Sequence, residues 1–308
     1  TTTLIPTPAT TPTDGQGGQA PTADEALVAT AAPTPTAVVV PPTEPPTAAA
    51  VVPPERFILN NVPYEAVIVL PENVVQHARE IYAAGKAAGR NPHAYSKVGD
   101  STIEAPHFMV RFDTGPYELG PYASLQPVIQ AFAGSHSRDS LAVTIGLHSW
   151  TANDPTRADK SVSVANESPV ACEIRLYNPS IMLIRLGTND VGVPEMFDSN
   201  VRQIVETAID AGVIPVIGTK SDRHEGSNVN NEVLRQIAAD YQIPLWDYDR
   251  VAETLPTRGL DVDNAHMMTF FSHDYNDPTA LTRGHAMHNL TALMMLDALW
   301  RDVMQGGN

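Results

Sequence analysis

The sequence predicts an α/β fold, a parallel sheet of about five strands covered by helices on both faces, preceded by an extended Pro/Thr-rich arm. Three observations predict it. Beyond residue 55, short apolar runs alternate with helix-period segments, the pattern of parallel strands buried on both sides. Several of those runs close in a glycine followed by polar residues, as strands do where they turn into loops. Residues 1–54 differ in kind: they hold 13 threonines and 12 of the 27 prolines, with no lysine, arginine or aromatic residue.

So little large apolar surface cannot offset the entropy of ordering, and each proline removes a backbone donor. Residues 1–54 are therefore expected to be polyproline-like or disordered, and residues 55–308 to form one domain with a full core. Thr/Pro tracts of this kind resemble O-glycosylated stalks, so the arm threonines are candidate glycosylation sites and an extracellular or cell-surface location is expected. A flexible tether is the plainer role, and docking on a neighbouring subunit, through residues 37–40 and 48–52, the sharper one. The chain begins directly in the arm, so any signal peptide is expected to have been removed or never present.

The formal net charge is −16, and the arm accounts for four of the acids and none of the bases, so −12 belongs to the domain. Such a balance disfavours nucleic acid or an anionic membrane as partner. No apolar run is long enough to cross a bilayer. Cys172 stands alone, which excludes an intramolecular disulfide and a multi-cysteine metal site, and it reads as a buried small hydrophobe.

In chain order, residues 74–88 have helical spacing and stop at Gly89-Arg90-Asn91-Pro92. Residues 94–98 form a first strand leading into Gly99-Asp100-Ser101, and residues 141–145 a second closed by Gly146. Residues 180–186 form a third, closed by Gly187-Thr188-Asn189-Asp190, and helical period returns over 197–211. Residues 213–218 are a fourth strand despite Pro215, residues 231–240 a helix, and 244–248 a fifth strand. A Leu/Met/Ala-rich helix over 283–304 ends the domain. Sites in such sheets form at the carboxyl ends of strands, so the turns at Ser101, Gly146 and Asn189 are expected on one edge.

Those turns carry the chemistry. A serine hydroxyl becomes a nucleophile only when a base removes its proton. His266, in Asp263-Asn264-Ala265-His266, is the candidate base, and Asp263 the carboxylate that orients its imidazole. The developing oxyanion needs preorganised donors: the Ser101 N–H, the Asn189 side-chain amide and the N–H of a strand-ending glycine. Asp100 and Asp190 read as loop and cap residues.

Val98-Gly99-Asp100-Ser101, Gly187-Thr188-Asn189-Asp190 and the segment Gly259-Leu260-Asp261-Val262-Asp263-Asn264-Ala265-His266 resemble the first, third and fifth motif blocks of the SGNH hydrolases, the GDSL esterase/lipase superfamily. The resemblance covers roughly residues 94–300 and implies a flavodoxin-like three-layer α/β/α sandwich. It also implies Ser101, His266 and Asp263 as catalytic triad, and an oxyanion hole of Ser101, Asn189 and a second-block glycine. Gly146 is the candidate for that glycine because it ends a strand, with Gly120 as fallback. Met267-Met268 and the insertion 269–282 depart from the family's pattern.

The expected function is an extracellular serine esterase that hydrolyses small acyl esters, with deacetylation of polysaccharide the natural case, and no cofactor or metal. The alternative is a structural or surface-displayed assembly protein, with the hydrolase-like domain as a building block. His285 and His288, three apart on the last helix with His273, Asp274 and Asp277 just before it, lack the matching ligand set of a metal site, and His148, in the second-block loop, could line the pocket but reads first as a surface or packing residue. Of two N-glycosylation sequons, Asn166 lies in a loop and remains a candidate, whereas Asn289 falls inside the last helix.

Overall fold

The computed structural model describes residues 59–104 and 106–306. The arm over residues 1–54, with its glycosylation and docking expectations, lies outside them. The described residues build a five-stranded sheet of order β1-β5-β4-β3-β2. Strands β2 (Asn91–Gly99), β3 (Pro179–Arg185), β4 (Ile214–Gly218) and β5 (Leu245–Trp246) run parallel, and β1 (Ile68–Val69) pairs antiparallel with β5 at one edge.

Successive side chains of a strand face opposite sides, and β3 uses this to feed two cores. Ile181 and Leu183 point to one core, where Val75, Ala78 and Ile81 of helix α1 (Glu72–Ala87) meet the C-terminal helix. Met182 and Ile184 point to the other, built by helices α2 (Pro169–Tyr177), α3 (Pro194–Asp210) and α4 (Val229–Tyr241). Each such side chain, fully buried, contributes about 1.5–3 kcal/mol. The result is a three-layer α/β/α sandwich. The C-terminal helix α5 (Gly284–Ala298) is buried at every position, which is why its sequence shows no polar stripe. It stops at Ala298, and residues Leu299–Gln305 continue as a π-helical turn, so the helix expected over 283–304 is shorter than its composition suggested.

The expected strand over 141–145 is not formed. Only a single parallel bridge, Val143 to Gly99, marks its place beside β2. Side chains take the bonds that a ladder would use: Ser140 Oγ donates to Lys97 O (2.6 Å), Ala142 N–H donates to Ser140 Oγ (3.1 Å), and Leu141 N–H donates to Glu173 Oε2 (3.0 Å). Ile145 is 71% exposed, so the apolar run turns outward instead of filling a sheet position. Counted with that bridge, the parallel order is second-first-third-fourth-fifth, the flavodoxin arrangement. The sheet's antiparallel edge is supplied by β1, which is two residues long and gave no pattern to read. Pro215 is tolerated because β5 pairs only with Ile217 and Gly218 of β4.

Two glycines set how the C-terminal helix approaches the loop before it. Gly259 has φ +72, and a Cβ built on Gly284 would strike the Gly259 carbonyl oxygen. Gly284→Ala is therefore expected to destabilise the domain by about 1–3 kcal/mol, as overpacking does. Thermal unfolding checks this, and an unchanged midpoint would contradict it.

Candidate active site

The nucleophile turn is built at the end of β2. Gly99 passes so close to β3 that a Cβ there would meet the Arg185 carbonyl oxygen. Asp100 then caps the 3-10 turn Ser101–Ile103: its Oδ1 accepts from Thr102 N–H (2.9 Å) and Thr102 Oγ1 (2.6 Å). Asp100 and Thr102 are buried while Ser101 is partly exposed, so the turn has a fixed inner side and an accessible hydroxyl.

The turn after β3 lies alongside. Asn189 Nδ2 donates to Leu147 O (3.1 Å) and approaches Asp100 Oδ2 at 3.4 Å. Asn230 Nδ2 clamps the same turn through Gly187 O (2.9 Å) and Asp190 O (3.0 Å), and Thr188 Oγ1 donates to Asp222 Oδ2 (2.8 Å). Arg185, the last residue of β3, is fully buried and donates from Nη1 to Thr102 Oγ1. One hydrogen-bonded group thus joins β3, the nucleophile turn and the asparagine turn. As expected, Asp100 and Asp190 serve as loop and cap residues, the latter accepting from Ser149 N–H (3.0 Å) and Oγ (2.7 Å).

Asp263 and His266 come from a tight turn closed by an antiparallel bridge between Leu260 and Met267. Asp263 Oδ1 accepts from the N–H groups of Ala265 and His266, both at 3.0 Å, and Asn264 takes the left-handed conformation (φ 56) that lets the chain reverse. The side chains then line up. Ser101 Oγ is 2.9 Å from His266 Nε2, and His266 Nδ1 is 2.6 Å from Asp263 Oδ2. The hydrogen bond from His266 and the backbone N–H of Ala265 hold the Asp263 carboxyl down at about 2. It stays ionised at any ordinary pH and selects the imidazole tautomer whose Nε2 faces the serine.

Gly146 (φ +71) sits in a loop tied at both ends to this group: Thr144 N–H donates to Gly99 O (3.2 Å), and Leu147 O receives Asn189. No hydrogen bond joins Gly146 itself to Ser101 among the described residues. Its strand is missing, as described above, so the loop is positioned by those two bonds and the bridge to Gly99. Gly120 lies against Asn276 and Tyr275, where a Cβ would be 2.8 Å from Asn276 Oδ1, and is accounted for by packing.

The other candidates separate cleanly. Asn166 stands exposed in a left-handed turn (φ 61), whereas Asn289 is buried between His107 O and Met109 N–H. His288 is buried against Trp246 (4.6 Å), Tyr248 (4.8 Å) and Phe108 (4.9 Å). Cys172 is buried. Among the described residues, no group of three or more His, Cys, Asp or Glu is placed to hold a metal ion, and no helix is long and apolar enough to cross a membrane. Sequence reasoning missed Arg185, although a charge inside the apolar run 181–186 was its visible signal.

No family model and no curated protein matches the chain. Among solved structures, it is similar to a two-domain esterase active on acetylated mannans, crystallised with mannopentaose. That match has TM-score 0.43 and 15% identity, over 77% of this chain and 57% of that one. It is also similar to a lipolytic protein of the G-D-S-L family from Desulfitobacterium hafniense DCB-2, with TM-score 0.38 and 14% identity, over 66% of this chain and 99% of that one. Fold and motif placement both keep the resemblance to the SGNH hydrolases. The likeness to these two structures decides nothing about activity, which is read from this chain's own residues. The chain spans 57% of the length of the two-domain esterase.

The carboxyl of Asp263 gives a direct check. Its folded value lies below the ordinary carboxylate value of about 3.9, so the stability it contributes is present above that value and is lost as pH falls through about 2. Carbon-detected NMR titration should show Asp263 inflecting near pH 2 and moving up in His266→Ala, since the histidine bond is the leading cause. An inflection that does not move would contradict the pairing.

Proposed function

We propose that the protein is a serine esterase of the SGNH type, secreted or displayed at the cell surface, that hydrolyses small acyl esters such as those on polysaccharide hydroxyls. The observation that carries this reading is the unbroken relay from Ser101 Oγ through His266 (2.9 Å) to Asp263 (2.6 Å). Residues 55–308 are the catalytic domain in this reading, and residues 1–54 a tether whose threonines are candidate sites for O-linked glycans.

In the first half-reaction Ser101 Oγ attacks the ester carbonyl carbon and passes its proton to His266 Nε2. Asp263 stabilises the imidazolium across the Nδ1 bond. The negative charge gathers on the former carbonyl oxygen, for which the N–H groups of Ser101 and Gly146 and the Asn189 amide are the candidate donors. Asn189 Nδ2 donates to Leu147 O (3.1 Å) and lies 3.4 Å from Asp100 Oδ2, which holds the amide beside the Ser101 turn. His266 then returns its proton to the departing alcohol. In the second half-reaction a water gives a proton to His266 and attacks the acyl-enzyme, and His266 returns that proton to Ser101 Oγ as the carboxylic acid leaves. Every step is proton movement and acyl transfer by side chains of this chain.

Removing one member of such a unit removes most of the acceleration. Ser101→Ala and His266→Ala are each expected to lower kcat on 4-nitrophenyl acetate by about 10³-fold or more, with Asp263→Asn close behind. The Ser101→Ala thermal midpoint should stay at the parent value, because the hydroxyl's bond to His266 is exposed to solvent. An undiminished rate in Ser101→Ala would overturn the reading and return the assembly role to the front.

A further inference from the structure

A concavity of about 460 Å³ lies next to the Ser101 turn and shares Gly146 with the proposed oxyanion site. Thr144, Gly146, Leu147, His148, Trp150 and Arg157 are among its walls. It is stitched to the site at two points: Thr144 N–H on Gly99 O (3.2 Å), two residues before Ser101, and Leu147 O on Asn189 Nδ2 (3.1 Å). The short helix Ser149–Asn153, which carries Trp150, is pinned by Asp190 through Ser149 N–H (3.0 Å) and Oγ (2.7 Å). Asp190 is the neighbour of Asn189. The turn that aims the amide therefore also places the tryptophan.

The lining selects the ligand. Trp150 is 41% exposed, while Trp246 in the core is 1% exposed. Its ring is steadied by His148, 6.3 Å away at an interplanar angle of 24°, and by the Arg157 guanidinium 5.4 Å from its centroid. Indole and the aliphatic surface of Leu141, Ile145, Leu147 and Pro169, beside an imidazole, a guanidinium and a threonine hydroxyl, make an amphipathic lining. An acyl chain would leave those polar groups without partners on binding, at a loss of affinity. A pyranose ring matches both halves, with C–H groups on its face and hydroxyls around its edge. The chain's net charge of −16 favours a neutral sugar over a polyanion.

We infer that this pocket is a glycan subsite, in which Trp150 takes the C–H face of a neutral pyranose ring and His148 and Arg157 bond its hydroxyls. The inference rests on the esterase reading for its purpose and names the alcohol side of the ester: a polymer hydroxyl held beside Ser101.

The test is calorimetric titration of the full chain with non-acylated, neutral β-1,4-linked pentasaccharides of glucose, xylose and mannose, and separately with decanoate. The expected result is a dissociation constant of about 1 mM or tighter for at least one pentasaccharide, and none for decanoate. Trp150→Ala should weaken that affinity by about tenfold or more, and Trp150→Phe, which keeps an aromatic face, should recover most of it. On an O-acetylated form of the same oligosaccharide, KM should rise about tenfold more in Trp150→Ala than it does on 4-nitrophenyl acetate. Equal sugar affinity in the parent and Trp150→Ala, saturation by decanoate, or no pentasaccharide binding up to about 10 mM would each overturn the subsite. Binding needs no turnover, so failure of the esterase reading leaves this result standing, and esterase activity without sugar binding removes the subsite alone.

Discussion

The site depends on one buried carboxylate. Asp100 lies out of water at the end of β2, where an unmatched charge would cost several kcal/mol, so its oxygens must be answered by neighbours. Oδ1 takes both the N–H and the hydroxyl of Thr102, which curls the chain into the turn that presents Ser101. Oδ2 faces the Asn189 amide at 3.4 Å, and the buried Arg185 guanidinium reaches Thr102 Oγ1. Satisfying this charge therefore sets how the Ser101 turn sits against Asn189, the geometry the proposed mechanism uses. Preorganisation of this kind is where electrostatic catalysis gains most.

The two halves of the site are held in different ways. Ser101 and Asn189 stand on strand ends whose positions follow from the register of β2 on β3, with Val98 opposite Ile184 and Gly99 opposite Arg185. Asp263 and His266 stand on an exposed turn that has no sheet beneath it, and their side chains are 48% and 53% exposed. That turn is located by the Leu260–Met267 bridge and by the close passage of Gly259 over Gly284 at the start of α5. The Ser101 side is thus tied into the sheet, while the His266 side is tied to the last helix by the Gly259–Gly284 approach and by His285 N–H donating to Met268 O (3.1 Å), with His224 Nε2 3.2 Å from Asn264 O. The parallel sheet brings the first pair together, and the final helix delivers the second.

Much of this was legible in the sequence because the functional turns coincide with the ends of apolar runs. Ser101, Asn189, Asp263 and His266 could be named, and four of five strands and the main helices placed, because period and turn chemistry agreed there. Residues 141–145 misled for a physical reason. Apolar content is a strand signal only if a ladder forms, and here Ser140 and Glu173 side chains take the backbone donors first. Strand β1, two residues long, has no period to detect. Arg185 was overlooked because a charge in a buried strand has meaning only once its partners, distant in the chain, are seen to surround it. The shape of the pocket around Trp150 belongs to the same class, since it arises where the second-block loop meets the turn after β3.

The central claim is that Ser101 is an activated nucleophile. Labelling with a fluorophosphonate, followed by peptide mass mapping, tests it most directly, because the reagent modifies a serine only when a base has readied it. The account predicts one adduct, on Ser101, that is lost in His266→Ala while the fold persists. A folded protein that takes no label, or takes it on another serine, would contradict it.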